Sequence, residues 1–332
     1  MRAVGAHPRT PDHGQADARL AERVSRPMRA RYEIAVKEPF RLDLTVSVLR
    51  RLSTNIVDVI TAEGEFVRAL TANQETVLAH VAQERPDALS VRLEGGAHGH
   101  GAHKGILTIL RRMLGVERDL SSFDRAARDI AWLAPLAIRM RGVKPPRYPT
   151  LWEACVNAVL FQQLSLSSAS AISRRMIMAL SMPAQWRGTT LYEFPGVESF
   201  QNASDDVLLA AGLSGNKLGT LRRVADALRS GALDEASLES LPSADAAAQL
   251  CRIKGIGPWT ATVILLRGLG RLDVFPLNDS SVARNLTFVA GRIPLDIDQA
   301  LKALGSQRGM LYYHLLLSRL DARGELGRTS SA

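Results

Sequence analysis

The stretch Leu250-Cys251-Arg252-Ile253-Lys254-Gly255-Ile256-Gly257-Pro258-Trp259-Thr260-Ala261 decides how the chain is read. A helical apolar pattern ends near Ile253, two glycines one residue apart permit positive φ, and Pro258 suits the first turn of a following helix. The segment predicts two helices joined by a tight turn whose free backbone N–H groups sit at a helix N-terminus. Such a turn holds anions, and Arg252 and Lys254 beside it favour a nucleic-acid phosphate. On these residues alone, an ordinary helix corner with glycine ending the first helix is an equal reading.

Working outward, the helix from Trp259 ends at Arg267-Gly268, an extended passage crosses Asp273-Val274-Phe275-Pro276, and a new helix starts near Asp279. Asp279 reads either as the N-cap of that helix or as a lone carboxylate at the mouth of a cleft beside the turn, and the two roles are compatible. On the other side, Ala158-Val159-Leu160-Phe161-Gln162-Gln163-Leu164-Ser165 is an apolar helix interrupted by two glutamines, which by themselves cap and solvate its end.

The rest of the chain sets the frame. It has 332 residues and a net charge of +9, enough length for two domains and a balance that points to polyanionic partners. Only Cys155 and Cys251 are present, which excludes a disulfide framework, a four-cysteine zinc site and a four-cysteine iron–sulfur cluster, and suits a reducing cytoplasm. No apolar run approaches the ~18–20 residues that cross a bilayer. Residues 1–30 read as a flexible basic tail; Asp12, Asp17 and Glu22 argue against a transit peptide. From 31 to 105 short alternating runs, such as Tyr32 to Lys37 and Phe40 to Leu44, with further strand-like pieces at 56–61, 65–71 and 89–94, predict a small α+β domain. Within it Val46 to Leu52 and Glu75 to Arg85 are helix candidates. Gly95 to His103 breaks regular structure; His98, His100 and His103 there read as a solvated loop rather than a metal site, having no carboxylate or cysteine beside them. From 106 to 322 the spacing is almost wholly helical, with residues 323–332 as a tail. The connector Arg141 to Pro149 cannot be helical.

The hairpin Ile253 to Ala261, the passage Asp273-Val274-Phe275-Pro276 and Asp279 together resemble the helix-hairpin-helix DNA glycosylases with a Gly/Pro-rich loop and catalytic aspartate, and within them DNA-3-methyladenine glycosylase II. Arg141 to Arg147 resembles that family's entry into its helical core, Ala158 to Ser165 its wedge loop, and Gly212 to Lys217 the connection one helix before the hairpin. The likeness is strong from 141 and weak before it.

The resemblance implies an α+β N-terminal domain followed by an all-α helix-hairpin-helix glycosylase domain. It implies that Asp279 is the catalytic carboxylate, stabilising an oxocarbenium-like transition state. Trp259, Val263 and Ser280 would line the base pocket, the indole offering a π face to a cationic ring. The residues Arg252, Ile253, Lys254, Gly255, Ile256, Gly257 and Thr260 would hold DNA, with Arg267, Arg271 and Arg284 nearby in sequence, and Gln163 with Gln162 would be the wedge that fills the duplex where a base leaves. Relatives that also cleave the strand use lysine as a Schiff-base nucleophile where this chain has Trp259, so a monofunctional enzyme is expected. Such an enzyme would remove alkylated bases of the 3-methyladenine and 7-methylguanine type and leave an abasic site for base excision repair.

Where the family carries tyrosine this chain has Val263 and Ser280, and Tyr312, Tyr313 and His314 are candidates to compensate. No cofactor is expected and no side-chain metal site, although the hairpin carbonyls could hold a monovalent cation. The expected partner is damaged double-stranded DNA, with no membrane, for a monomer in the cytoplasm associated with the nucleoid. Two alternatives stay open: a glycosylase for uracil or for deaminated or oxidised purines, and a helix-hairpin-helix DNA-binding protein without catalysis.

Overall fold

A computed structural model of the chain describes residues 29–95, 100–186, 188–277 and 279–327. The first part is a five-stranded antiparallel sheet in the order β1-β5-β4-β3-β2, formed by β1 (Arg29–Ala35), β2 (Val59–Ile60), β3 (Phe66–Ala72), β4 (Glu75–Arg85) and β5 (Ala88–Gly95). Phe66 pairs with Val81, which in turn pairs with Val91, so one face carries a continuous apolar row. Two helices cover that face. They are α1 (Leu42–Arg50) and α2 (His100–Leu114), which bury Leu42, Val46, Leu49, Ile106, Leu110 and Met113 against the sheet.

Four expectations change here. The alternating run at Phe40 to Leu44 leads into α1 rather than a strand, because Leu42, Leu44, Val46, Val48 and Leu49 continue inward on a helical surface. Glu75 to Arg85 is a strand, held between β3 and β5 on both edges. The helix expected from Ile106 starts at His100, and it packs on the sheet. His103 is buried in it, hydrogen-bonded to the Tyr32 hydroxyl at 3.1 Å and the Gly95 carbonyl at 3.1 Å, not solvated. His98 and the His100 side chain lie outside the described residues.

The helices that follow are α3 (Ser121–Arg128), α4 (Ala134–Arg139), α5 (Leu151–Leu160), α6 (Leu166–Leu180), α7 (Val197–Asn202), α8 (Asp205–Ala210), α9 (Gly215–Arg229), α10 (Glu235–Ser240), α11 (Ser243–Cys251), α12 (Pro258–Arg267), α13 (Ser280–Ala290), α14 (Ile297–Leu304) and α15 (Met310–Asp321). This part is not all-α. A hairpin of β6 (Pro183–Trp186) and β7 (Thr189–Tyr192) brings Trp186 and Leu191 against Val67 and Ala69 of the sheet. The connector from Gly142 to Pro149 is irregular, as its prolines require, and it is buried.

Two apolar cores organise the helices. One gathers α5, α9, α11 and α12 around Val156, Leu221, Leu250 and Ile264; the other gathers α3, α4, α13, α14 and α15 around Phe123, Leu136, Leu286, Leu301 and Leu311. The sheet is tied to the first by a buried ion triad in which Arg68 of β3 donates to Asp58 and to Glu153 of α5. Residues 323–327, expected as tail, return to α1: Ser53 N–H donates to the Glu325 carboxylate at 2.8 Å and Gly327 N–H to Ser47 Oγ at 2.8 Å. Among the described residues no helix is long and apolar enough to cross a membrane.

Candidate active site

The predicted hairpin is present, α11 and α12 being joined by residues 252–257. Gly255 has φ +102°, and a Cβ there would lie 1.9 Å from Thr220 Oγ1, so only glycine lets the turn rest on α9. Gly257 caps α12 without a side-chain bond, with open space where a Cβ would stand. Among the described residues the N–H groups of Gly255 and Gly257 have no acceptor within the protein, whereas that of Ile256 donates to Ile253 at 2.9 Å. Arg252 and Lys254 are exposed beside them.

Other members of the expected DNA-contacting set turn inward. The Ile256 and Thr260 side chains are buried, and Ile253 packs on the first core. Gln162 is not at a wedge tip: its Nε2 donates to the Gly255 carbonyl at 3.0 Å and to Thr260 Oγ1 at 2.7 Å, pinning the end of α5 to the hairpin. Lys217 caps the same helix end, donating to the carbonyls of Leu160 and Gln162 at 2.6 and 2.9 Å. The turn carbonyls of Lys254 and Gly255 thus receive Arg223 and Gln162, respectively. Of the distal arginines, Arg267 is fully buried and donates to the Val48 carbonyl, while Arg271 donates to three carbonyls at the end of α10. Both are structural. Gln163 is exposed, with φ +55°, at the apex of the turn beside Leu164.

Asp279 is the N-cap of α13. Its Oδ1 accepts from the N–H groups of Ser281 at 2.6 Å and Val282 at 3.1 Å, and its Oδ2 accepts from Trp259 Nε1 at 2.8 Å. These three donors fix the carboxylate's plane at a helix N-terminus, where the dipole favours an anion. Trp259 and Asp279 border one cleft of about 210 Å³, with Val263, Phe161, Tyr312 and Arg51 among its other walls. Trp259 and Phe161 belong to the first core, Val282 and Tyr312 to the second, so the cleft is the seam between the two cores. Of the aromatic trio on α15, Tyr312 reaches the cleft, whereas Tyr313 and His314 are buried behind it. Ser280 opens α13, its side chain lying outside the described residues.

Arg51, Phe161, Arg284, Arg319 and Arg323 also line the cleft. Phe161 stands in the stretch that the resemblance reads as a wedge loop and Arg284 lies near Asp279 in sequence, whereas Arg51, Arg319 and Arg323 come from segments distant in the chain. No lysine lines the cleft among the described residues.

No family model matches the chain. It is 24% identical over 266 residues to the DNA-3-methyladenine glycosylase of Bacillus subtilis (strain 168), spanning 76% of this chain and 84% of that one. The 3-methyladenine DNA-glycosylase from Archaeoglobus fulgidus superposes with a TM-score of 0.70 at 22% identity, covering 86% of this chain and 97% of that one. The Clostridium acetobutylicum 8-oxoguanine glycosylase/lyase, in complex with double-stranded DNA, superposes with a TM-score of 0.67 at 14% identity, covering 90% and 99%. The fold is therefore that of the helix-hairpin-helix DNA glycosylases. In sequence the chain is similar, at modest identity, to the DNA-3-methyladenine glycosylase of Bacillus subtilis.

Proposed function

We propose that the protein is a monofunctional DNA glycosylase that flips an alkylated base out of duplex DNA against Trp259 and hydrolyses its N-glycosidic bond, leaving an abasic site. The observation that carries this reading is the Asp279 carboxylate, oriented by three donors at the edge of a base-sized cleft beside the hairpin. Such an anion stabilises the positive charge that develops on the sugar as the bond breaks, and it orients the attacking water. A base made cationic by alkylation leaves as a neutral molecule, so no dedicated general acid is needed.

The hairpin presents its unpaired N–H groups and the exposed Arg252 and Lys254 to a backbone phosphate. Gln163 is the residue that enters the duplex in this reading, which its exposure at the turn apex supports. Hydrolysis rather than strand cleavage is supported by the residues at hand, because a Schiff-base mechanism needs an amine nucleophile and the cleft wall holds none among the described residues. The test is Asp279→Asn, which keeps the N-cap and the shape. It should retain binding to abasic-site DNA while excision of 3-methyladenine and 7-methylguanine from methylated duplex falls by roughly 100-fold or more. Unchanged excision would remove the carboxylate from the mechanism.

A further inference from the structure

Arg51 follows α1 in the sheet-bearing part of the chain, yet it forms part of the cleft wall. Its backbone has φ +59° and ψ −69°, and Leu52 N–H donates to the Arg50 carbonyl at 2.7 Å across it. That is a γ-turn of the rare, strained hand, a conformation kept where surroundings force it and often where a side chain must be aimed. The side chain is 7% exposed, and its guanidinium carbon lies 3.9 Å from the centre of the Phe161 ring, which lines the same cleft.

The guanidinium is not satisfied by the protein. Its Nε and Nη1 are buried and have no hydrogen-bond partner. The groups whose charge acts on it most are Tyr148, Arg267, Tyr312 and Asp58, and Asp279, Arg284, Arg319 and Arg323 share its cleft. Arg267 is a second cation, and Asp58 is already engaged by Arg68. Burial lowers the Arg51 pKa from its ordinary value, Tyr148 working against that shift and Arg267 with it. A buried cation with unmet donors in a ligand-sized cleft calls for an acceptor from the ligand.

We propose that Arg51 is a specificity-determining residue that donates to a carbonyl or ring-nitrogen acceptor of the extruded base and favours uncharged bases over cationic alkylated ones. This rests on the glycosylase reading above. When an uncharged base leaves, the C1′–N bond breaks with its electron pair going to the base, which departs as an anion. Water oxygen forms the new bond to C1′, and the proton released ends on the departing base. A guanidinium at the acceptor edge stabilises that anion in the transition state. A cationic base departs neutral, and the proton lost by the attacking water goes to solvent; such a base gains nothing from Arg51 and is repelled by its charge across the cleft.

The experiment is single-turnover excision from three duplexes carrying hypoxanthine, 7-methylguanine or 3-methyladenine. The first is uncharged with a carbonyl, the second cationic with a carbonyl, the third cationic without one. Arg51→Met, which keeps an apolar stem beside Phe161, should lower the ratio of hypoxanthine to 3-methyladenine excision at least tenfold, with the thermal midpoint reporting correct folding, and Arg51→Lys should recover part of that ratio. A uniform change across the three lesions, or none, in a variant that melts like the unaltered protein overturns the proposal. If the unaltered protein excises the methylated bases but not hypoxanthine, the proposal fails and the glycosylase reading stands. Excision of none of the three overturns that reading itself.

Discussion

Trp259 Nε1 donates to Asp279 Oδ2 at 2.8 Å, joining the first turn of α12 to the N-cap of α13. The indole is therefore more than a flat wall. It sets the carboxylate's orientation from one side while the backbone of α13 sets it from the other.

Replacing Trp259 by Phe keeps an aromatic face and removes the donor. Excision should fall by about tenfold, the scale of a hydrogen bond to a charged group, with affinity for abasic DNA unchanged. Trp259→Leu should lose both face and donor and fall further. Single-turnover rates beside equilibrium binding separate the two contributions; a Phe variant at full rate would show that the hydrogen bond does not position Asp279.

Gly255→Ala places a methyl group on Thr220 at a backbone angle that L residues rarely adopt. The hairpin should shift, lowering stability by about 1–3 kcal/mol and weakening DNA binding. Thermal melts and binding isotherms report this, and adding Thr220→Gly should restore stability in part by removing the steric clash while leaving the angle.

Arg252→Ala combined with Lys254→Ala removes two exposed cations that have no ion-pair partner among the described residues. Binding should weaken whatever the DNA sequence, and the slope of log K against log salt should flatten by about one to two phosphate equivalents. Titrations at several salt concentrations measure it. An unchanged slope would move the phosphate clamp elsewhere on the molecule.

His314 supplies a pH test. It is buried, its Nδ1 bonds the Met310 carbonyl at 2.9 Å, and its ring lies 4.7 Å from that of Phe123. Burial pushes its pKa down to about 4, with the bond to Met310 acting against that. Because the folded value lies below the unfolded one, this contribution to stability is full above about pH 6.5 and is lost as pH falls towards 4. His314→Gln should flatten the decline in unfolding free energy over that window relative to the unaltered protein, measured by denaturant titration at pH 7, 5.5 and 4.5.

The hairpin, its glycines and the spacing to Asp279 are legible because each is a local device: turn geometry, a helix start and a cap are written within a few residues of one another. Val263 could be assigned to the cleft for the same reason. Arg51 could not, since only the tertiary approach of its guanidinium to the Phe161 ring brings it to the cleft. Gln162 and Thr260 were legible as neighbours of the hairpin, but whether a polar side chain faces DNA or pins a turn is settled by tertiary contacts. Glu75 to Arg85 carries apolar residues that fit either period, and strand pairing on both edges decides for the sheet.

The triad of Arg68, Asp58 and Glu153 bears on how portable the helical part is. A fragment beginning at Ile106 retains Glu153 but loses Arg68, its ion-pair partner, leaving the carboxylate without the cation that offsets its burial. It also loses Arg51 from the cleft wall and the strands that shelter Trp186. The sheet is thus no detachable module: transplanting the hairpin and Asp279 into a smaller scaffold requires either carrying the sheet along or rewriting Glu153 as an apolar residue.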